Sequence, residues 1–140
     1  MNLAVEYNCG GIDWEELACV IKAAGLAPHP PETFRKAFEN SFAVVFLRDG
    51  QRLIGCARAL SDAVVQSALY YVALLREYQG RGLGRTLLEE MLRQLPDGNT
   101  ILYASPGKEP FYERFGFGRL KTGMGKFSDP ERVRQRGMLE

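Results

Sequence analysis

A chain of 140 residues, 46% of them apolar and 25% charged, is the size of one ordinary domain and can close a core. Eighteen basic residues against seventeen acidic leave a net charge of +1, spread along the chain, which argues against duplex nucleic acid or an anionic membrane as the main partner. Cys9, Cys19 and Cys56 are widely spaced, without CxxC or a neighbouring histidine, so neither a disulfide framework nor a metal site is expected. The start of the chain lacks a basic segment followed by an apolar run. Its longest uncharged stretch, Ala63 to Leu75, falls short of the ~20 residues of a membrane span. The chain is expected to be soluble and cytoplasmic.

In chain order, `NLAVEYN` alternates as a short strand. `GIDWEELACVIKAAG` predicts a helix with Asp13 as N-cap, Glu16 closing a capping box, Ile12 stapled to Leu17, and Gly25 at a left-handed stop. Turn signals in `APHPP` precede a second helix over Glu32 to Asn40, with Phe34, Ala37 and Phe38 inward. `SFAVVFLRDGQRLIGCARALSD` reads as a hairpin turning at Asp49-Gly50, and `ALYYVALL` as a buried central strand. A helix with Leu83, Leu87, Leu88, Met91, Leu92 and Leu95 on one face follows and ends at Pro96-Asp97-Gly98. `TILYA` predicts a strand, `GKEPFYERFG` a short helix stopped by Gly116, and `FGRLKTGMGKF` one or two closing strands. Residues 129–140 read as a surface helix or tail. The expected fold is a single α/β (α+β) domain over 1–140, a mixed central sheet of six to seven strands with helices on both faces.

Between strand and helix lies `QGRGLGRTLL`, with glycines at 80, 82 and 84. A helix entrance offers unpaired amides and the positive end of the dipole, and alternate glycines let a phosphate approach the main chain. Arg81 and Arg85 can add charge-assisted contacts from the rim. The glycines alone fit a turn chosen for close packing equally well. A Walker A loop would need glycine at 79 and lysine at 85, and the dinucleotide fingerprint GxGxxG would need glycine in place of Arg85. Neither pattern is met. What is present is QxxGxG: Gln79, Gly82 and Gly84.

`VALLREYQGRGLGRTLL` followed by `PFYERFGF` resembles the Gcn5-related N-acetyltransferases, whose signature is a strand, a [QR]xxGx[GA] turn and a helix, then a YxxxGF segment. The likeness spans nearly the whole chain, and the order of elements matches. It implies acetyl-CoA, with no metal, in a cleft where the parallel strands Ala68 to Leu75 and Thr100 to Ala104 splay apart. It also implies pantetheine on the main chain of Val72, Ala73 and Leu74 and pyrophosphate on Gln79, Gly80, Arg81, Gly82, Leu83, Gly84 and Arg85, with Ser105 and Phe111 completing the cofactor side. Arg76 stands where the family often has proline, and Ser105 near a frequent asparagine. `IGCARALSD` with `FYERFGF` is further similar to plastid-type acetyltransferases of arylalkylamines such as serotonin and to bacterial relatives, although Tyr71 falls where those tend to have aspartate.

The resemblance implies direct attack of a primary amine on the thioester in a ternary complex. Deprotonating an amine of pKa ~10.4 at pH 7 costs roughly 4–5 kcal/mol, against about 2 for ionising a thiol of pKa ~8.5. Tyr112, opening YxxxGF, is the residue that would serve the leaving thiolate; a packing aromatic is its alternative role. For the amine no carboxylate stands between Asp62 and Glu77, leaving a water chain that ends on Tyr71 or on Asp62. Trp14, Phe34 and Phe38 line an acceptor pocket or fill the core. The expected partners are a small-molecule amine, with arylalkylamines as one class, and a second copy in a homodimer; no nucleic acid or membrane is expected. The competing readings are a coenzyme A-binding module with weak or lost catalysis and a triphosphate-binding protein.

Overall fold

In the computed structural model, which describes residues 1–140, the first helix begins where a carboxylate meets bare amides. Asp13 Oδ1 accepts the N–H groups of Glu15 (3.0 Å) and Glu16 (3.2 Å), and α1 runs Trp14–Ala23. It ends in a Schellman turn: Gly25, at φ 80°, donates to Lys22, and Leu26 donates to Ile21. The capping box does not close. Glu16 instead reaches out of the helix and accepts the Leu53 amide at 3.0 Å, tying α1 to the sheet. Asp13→Ala is expected to cost about 1 kcal/mol, read as a lower urea midpoint at unchanged slope.

The backbone divides into two compact units, Met1–Leu102 and Tyr103–Glu140. The first holds β1 (Leu3–Glu6), α1, α2 (Pro31–Glu39), β2 (Ala43–Asp49), β3 (Arg52–Ser61), β4 (Gln66–Leu74), α3 (Leu83–Arg93) and β5 (Asn99–Ile101). Its five strands lie in chain order in one mixed sheet. The first three neighbours pair antiparallel, and β4 pairs parallel with β5 because α3 carries the chain back across. Side chains alternate between two faces. Phe46 of β2 stacks on Phe38 of α2 with centroids 5.6 Å apart and meets Trp14 edge-on at 6.5 Å. Leu47 and Gly55, its neighbours in register on the opposite face, lie under α3; a methyl group on Gly55 would stand 3.3 Å from Leu87. Helices thus cover both faces. Phe34, Phe38, Phe46, Leu17, Leu87, Leu88 and Met91 are fully buried between them.

The second unit contains α4 (Glu109–Glu113) and α5 (Pro130–Gln135) and no strand. Its α5 starts at Asp129, which accepts the Arg132 amide at 3.1 Å. No helix of the chain is long and apolar enough to cross a membrane.

Three further expectations need correcting. The sheet has five strands rather than six or seven: `FGRLKTGMGKF` forms none. Its Leu120 and Met124 face solvent, so a strand there would have no apolar face to bury. The strand expected over `TILYA` is three residues long. Lastly, β4 is next to the sheet's end rather than central, and Tyr70, Tyr71 and Val72 are only half-buried.

Candidate active site

The partnership of β4 with β5 is brief. Gln66, Ser67 and Ala68 pair with Asn99, Thr100 and Ile101, after which β4 runs on from Leu69 to Leu74 without β5 beside it. In the middle of that stretch β4 carries a bulge. Arg58 stands opposite Tyr70 and Cys56 opposite Ala73, so Tyr71 and Val72 share the single partner Ala57. Tyr71 takes φ 51°, a left-handed conformation costing a bulky residue roughly 1–3 kcal/mol. Such bulges bend a strand and re-aim its groups, often beside functional sites. Nothing in the residue pattern Tyr-Tyr-Val announced it.

Beyond β4, Leu75 donates to Ile54, a single 3-10 turn spans Arg76–Tyr78, and the chain reaches the glycines. Gly80 has φ 78° and Gly82 φ 80°, so both are left-handed turns for which glycine is the low-cost residue. A methyl group at either would meet no atom within 4 Å. Packing therefore does not explain them. Gly82 is the N-cap of α3, no side chain caps that helix, and its first turn holds no acidic residue. This contrasts with α1, capped by Asp13 with Glu15 and Glu16 following. Leu83 and Gly84 occupy the first two helical positions, and their amides have no intrahelical acceptor. The Leu83 side chain is in the core, leaving the main chain as its outward contribution. Gly84 is already helical, so positive φ does not apply to it.

The turn is braced from several directions. Gln79 Nε2 donates to the Leu74 carbonyl at 3.0 Å, holding the end of β4 against the loop. The Tyr78 hydroxyl donates to Asp49 at 2.6 Å, and this bond holds the Asp49 carboxyl below its ordinary range. Guanidinium groups of Arg52 and Arg81 lie 5.6 and 5.3 Å from the Tyr78 ring centroid. Arg85 extends along α3 to Glu89 at 3.3 Å. The entrance of α3 is thus cationic, amide-rich and unobstructed, which suits an anion such as a diphosphate. The sequence marked the glycines and the two rim arginines, but the Tyr78 clamp depends on Asp49 and Arg52 from a distant hairpin.

Asp62 lies at the β3–β4 turn, at the opposite end of β4. Its Oδ1 accepts the amides of Val64 (2.8 Å), Val65 (2.8 Å) and Gln66 (3.0 Å). Backbone hydrogen bonds hold its carboxyl below the usual range, which makes it a weaker base and gives it a turn-building role. Tyr71 meets Phe34 edge-on at 5.2 Å, and Phe34 meets His29 at 5.6 Å. Phe38 belongs to the core stack with Phe46 and Trp14.

In the second unit, Tyr112 sits in α4 among aromatic rings: Phe111 at 5.1 Å and Phe117 at 5.9 Å, with Phe115 5.3 Å from Phe111. Its carbonyl accepts from Phe115 and Phe117, and Gly116, at φ 90°, lets the chain turn between them. Burial pushes the phenol up to about 12. The Ser105 carbonyl accepts the Lys108 amide at 3.0 Å, forming the turn that leads into α4.

A strand edge abandoned by its parallel neighbour, a bulge, and an uncapped helix entrance behind two left-handed glycines can be compared with known proteins. Residues 17–125 match the family model described as an acetyltransferase (GNAT) domain. The chain belongs to this acetyltransferase family. It is 35% identical over 113 residues to an N-acetyltransferase, ycf52-like, of Prochlorococcus marinus, covering 76% of this chain and 63% of that protein. With the chloroplastic serotonin N-acetyltransferase 2 of Oryza sativa subsp. japonica it shares 33% over 122 residues, 81% of this chain and 60% of that one. The chain therefore spans somewhat under two thirds of the length of these relatives. A GNAT-family acetyltransferase structure from Streptococcus pneumoniae TIGR4 superposes with a TM-score of 0.76 at 21% identity, covering 90% of this chain and 98% of the other. That last likeness is one of fold.

Proposed function

We propose that this GNAT domain moves an acetyl group from acetyl-CoA to a primary amine, by direct attack while both are bound. The observation that carries the reading is the route from the part of β4 beyond its pairing with β5 through Gly80 and Gly82 to the uncapped start of α3. Main-chain groups of Val72 to Leu74 would hold pantetheine as an added strand, and the amides of Gly82 to Gly84 with Arg81 and Arg85 would hold the diphosphate. Gln79 positions the turn by its bond to Leu74. When bound, acetyl-CoA supplies an activated thioester.

Tyr112 serves the departing thiolate. A phenol held near 12 would give its proton to a thiolate of pKa ~8.5 uphill by about 5 kcal/mol, so its part is to donate a hydrogen bond to the developing sulfur anion. For the amine, Asp62 is committed to three amides, and Tyr71 on the bulge remains the end of a water route. With no carboxylate base, the neutral fraction of the amine controls the rate. We expect log kcat/KM to rise with unit slope from pH 7 towards ~9.5 and to show no falling limb from Tyr112 below about pH 11, because its raised pKa keeps it protonated throughout. A plateau near pH 6–7 would point to a carboxylate or imidazole base instead.

One observation favours a second reading, a coenzyme A-binding module with weak or lost catalysis: no acidic residue stands on β4 or between it and Asp62. A thiol-release assay with acetyl-CoA against a panel of primary amines, arylalkylamines among them, separates the two. Turnover supports the enzyme; melting protected by coenzyme A without turnover supports the module. Protection by ATP in place of coenzyme A would overturn both.

A further inference from the structure

We propose that Arg58 recognises a carboxylate on the acceptor, so that the amine substrate is an amino acid rather than a simple arylalkylamine. The inference rests on the acetyltransferase reading above and deepens it. Arg58 is a half-buried guanidinium on β3, on the sheet face that α1 and α2 cover. Its Nε donates to Ser41 Oγ at 2.9 Å, and its guanidinium lies 5.4 Å from the centroid of Tyr70, its partner across the ladder. These fix its plane. They do not neutralise its charge.

No carboxylate of the chain pairs with Arg58, whereas Arg48 on β2 is bound to Glu6 at 2.6 Å. A partly desolvated cation without an anion is costly, and burial accordingly lowers the Arg58 pKa. Both terminal nitrogens lack a hydrogen-bond acceptor in the chain, yet no buried side-chain nitrogen is left unsatisfied, so these nitrogens open to solvent. Four N–H donors in a rigid fork match the two oxygens of a carboxylate. A lone guanidinium over an aromatic ring suits a planar monoanion better than a phosphate, which usually draws several cations.

Position links this charge to the chemistry. Arg58 directly follows Ala57, the residue facing the Tyr71–Val72 bulge, and Tyr71 turns its ring to Phe34 on the same face. An acceptor whose amine reaches the bulge would bring a carboxylate a few bonds away to Arg58, with its apolar body against Tyr70 and Tyr71.

The test measures kcat/KM with acetyl-CoA for matched pairs that differ only in the carboxylate: phenylalanine against 2-phenylethylamine, and tryptophan against tryptamine. In the unmodified protein we expect the acid to be preferred at least tenfold. In Arg58→Met that ratio should fall to about one or below through KM, and in Arg58→Lys, which keeps charge but not the fork, it should be intermediate. A preference for the neutral amine, turnover restricted to O-phosphoethanolamine, or a ratio unmoved by either variant overturns the proposal. Binding of 3-phenylpropanoate, which carries the acid and no amine, is read independently by titration calorimetry. It should weaken at least tenfold in Arg58→Met, with 3-phenylpropan-1-ol as the uncharged comparison. If no amine is acetylated, the acetyltransferase reading fails and this titration alone decides Arg58. Equal affinity for the acid in the unmodified protein and in whichever variant folds overturns it.

Discussion

Gly82→Val is expected to weaken coenzyme A binding at least thirtyfold, a loss of about 2 kcal/mol, while the protein remains folded. Two effects combine at this position. The residue holds φ 80°, where a β-branched side chain is strained by more than the ~1–2 kcal/mol paid by an ordinary one, so the start of α3 will shift or fray. The added atoms also project where no protein atom lies within 4 Å, into the space a diphosphate would use. Gly82→Ala separates the two, since it bears most of the backbone strain with only one methyl group in that space. Melting temperature should fall in both variants, and affinity should fall further in the valine one. Unchanged coenzyme A affinity in a folded Gly82→Val protein would sink the turn assignment.

Tyr112→Phe is expected to lower kcat by about a hundredfold, the usual scale for losing one positioned hydrogen-bond donor to a developing anion, with the KM for acetyl-CoA changed by less than threefold. The ring contacts with Phe111 and Phe117 survive the substitution, so the aromatic cluster should persist. A pure packing role predicts near-normal kcat instead. A second readout follows from linkage. The folded-state pKa of Tyr112, about 12, exceeds the ~10 of an unfolded tyrosine, so its contribution to stability is complete below pH 10 and is lost as pH rises from 10 to 12. In Tyr112→Phe the alkaline decline of stability over that window should be shallower. A kcat within threefold of the unmodified protein would place the thiolate's hydrogen-bond donor elsewhere.

Local features could be read from the sequence because local physics controls them. Asp13 caps, Gly25 stops, Gly50 turns and the leucines of α3 share a face whatever surrounds them, since each depends on φ, a nearby amide or a 3.6-residue period. Gly80 and Gly82 belong to this class: a helix entrance without a cap residue is visible as glycine where Ser, Thr, Asp or Asn would otherwise stand. These signals were enough for the α/β class, for helices on both faces and for the family.

Pairing and commitment of polar groups were not legible in this way. The carboxylates of Glu16 and Asp62 carry the same residue code as a capping box and a general base. The fold commits Glu16 to Leu53 across 37 positions, whereas Asp62 is committed locally, to three amides of its own turn. The bulge at Tyr71 arises from a register mismatch between two strands, a property of neither strand alone. The unpaired charge of Arg58 is likewise a statement about every acidic side chain that does not reach it. Periodicity and turn chemistry therefore determined the helices, the first four strands and the glycine entrance, but not the closing strands. Which polar groups are spent on the fold was decided by tertiary structure wherever the partner is far away in the chain, as with Glu16 and Leu53.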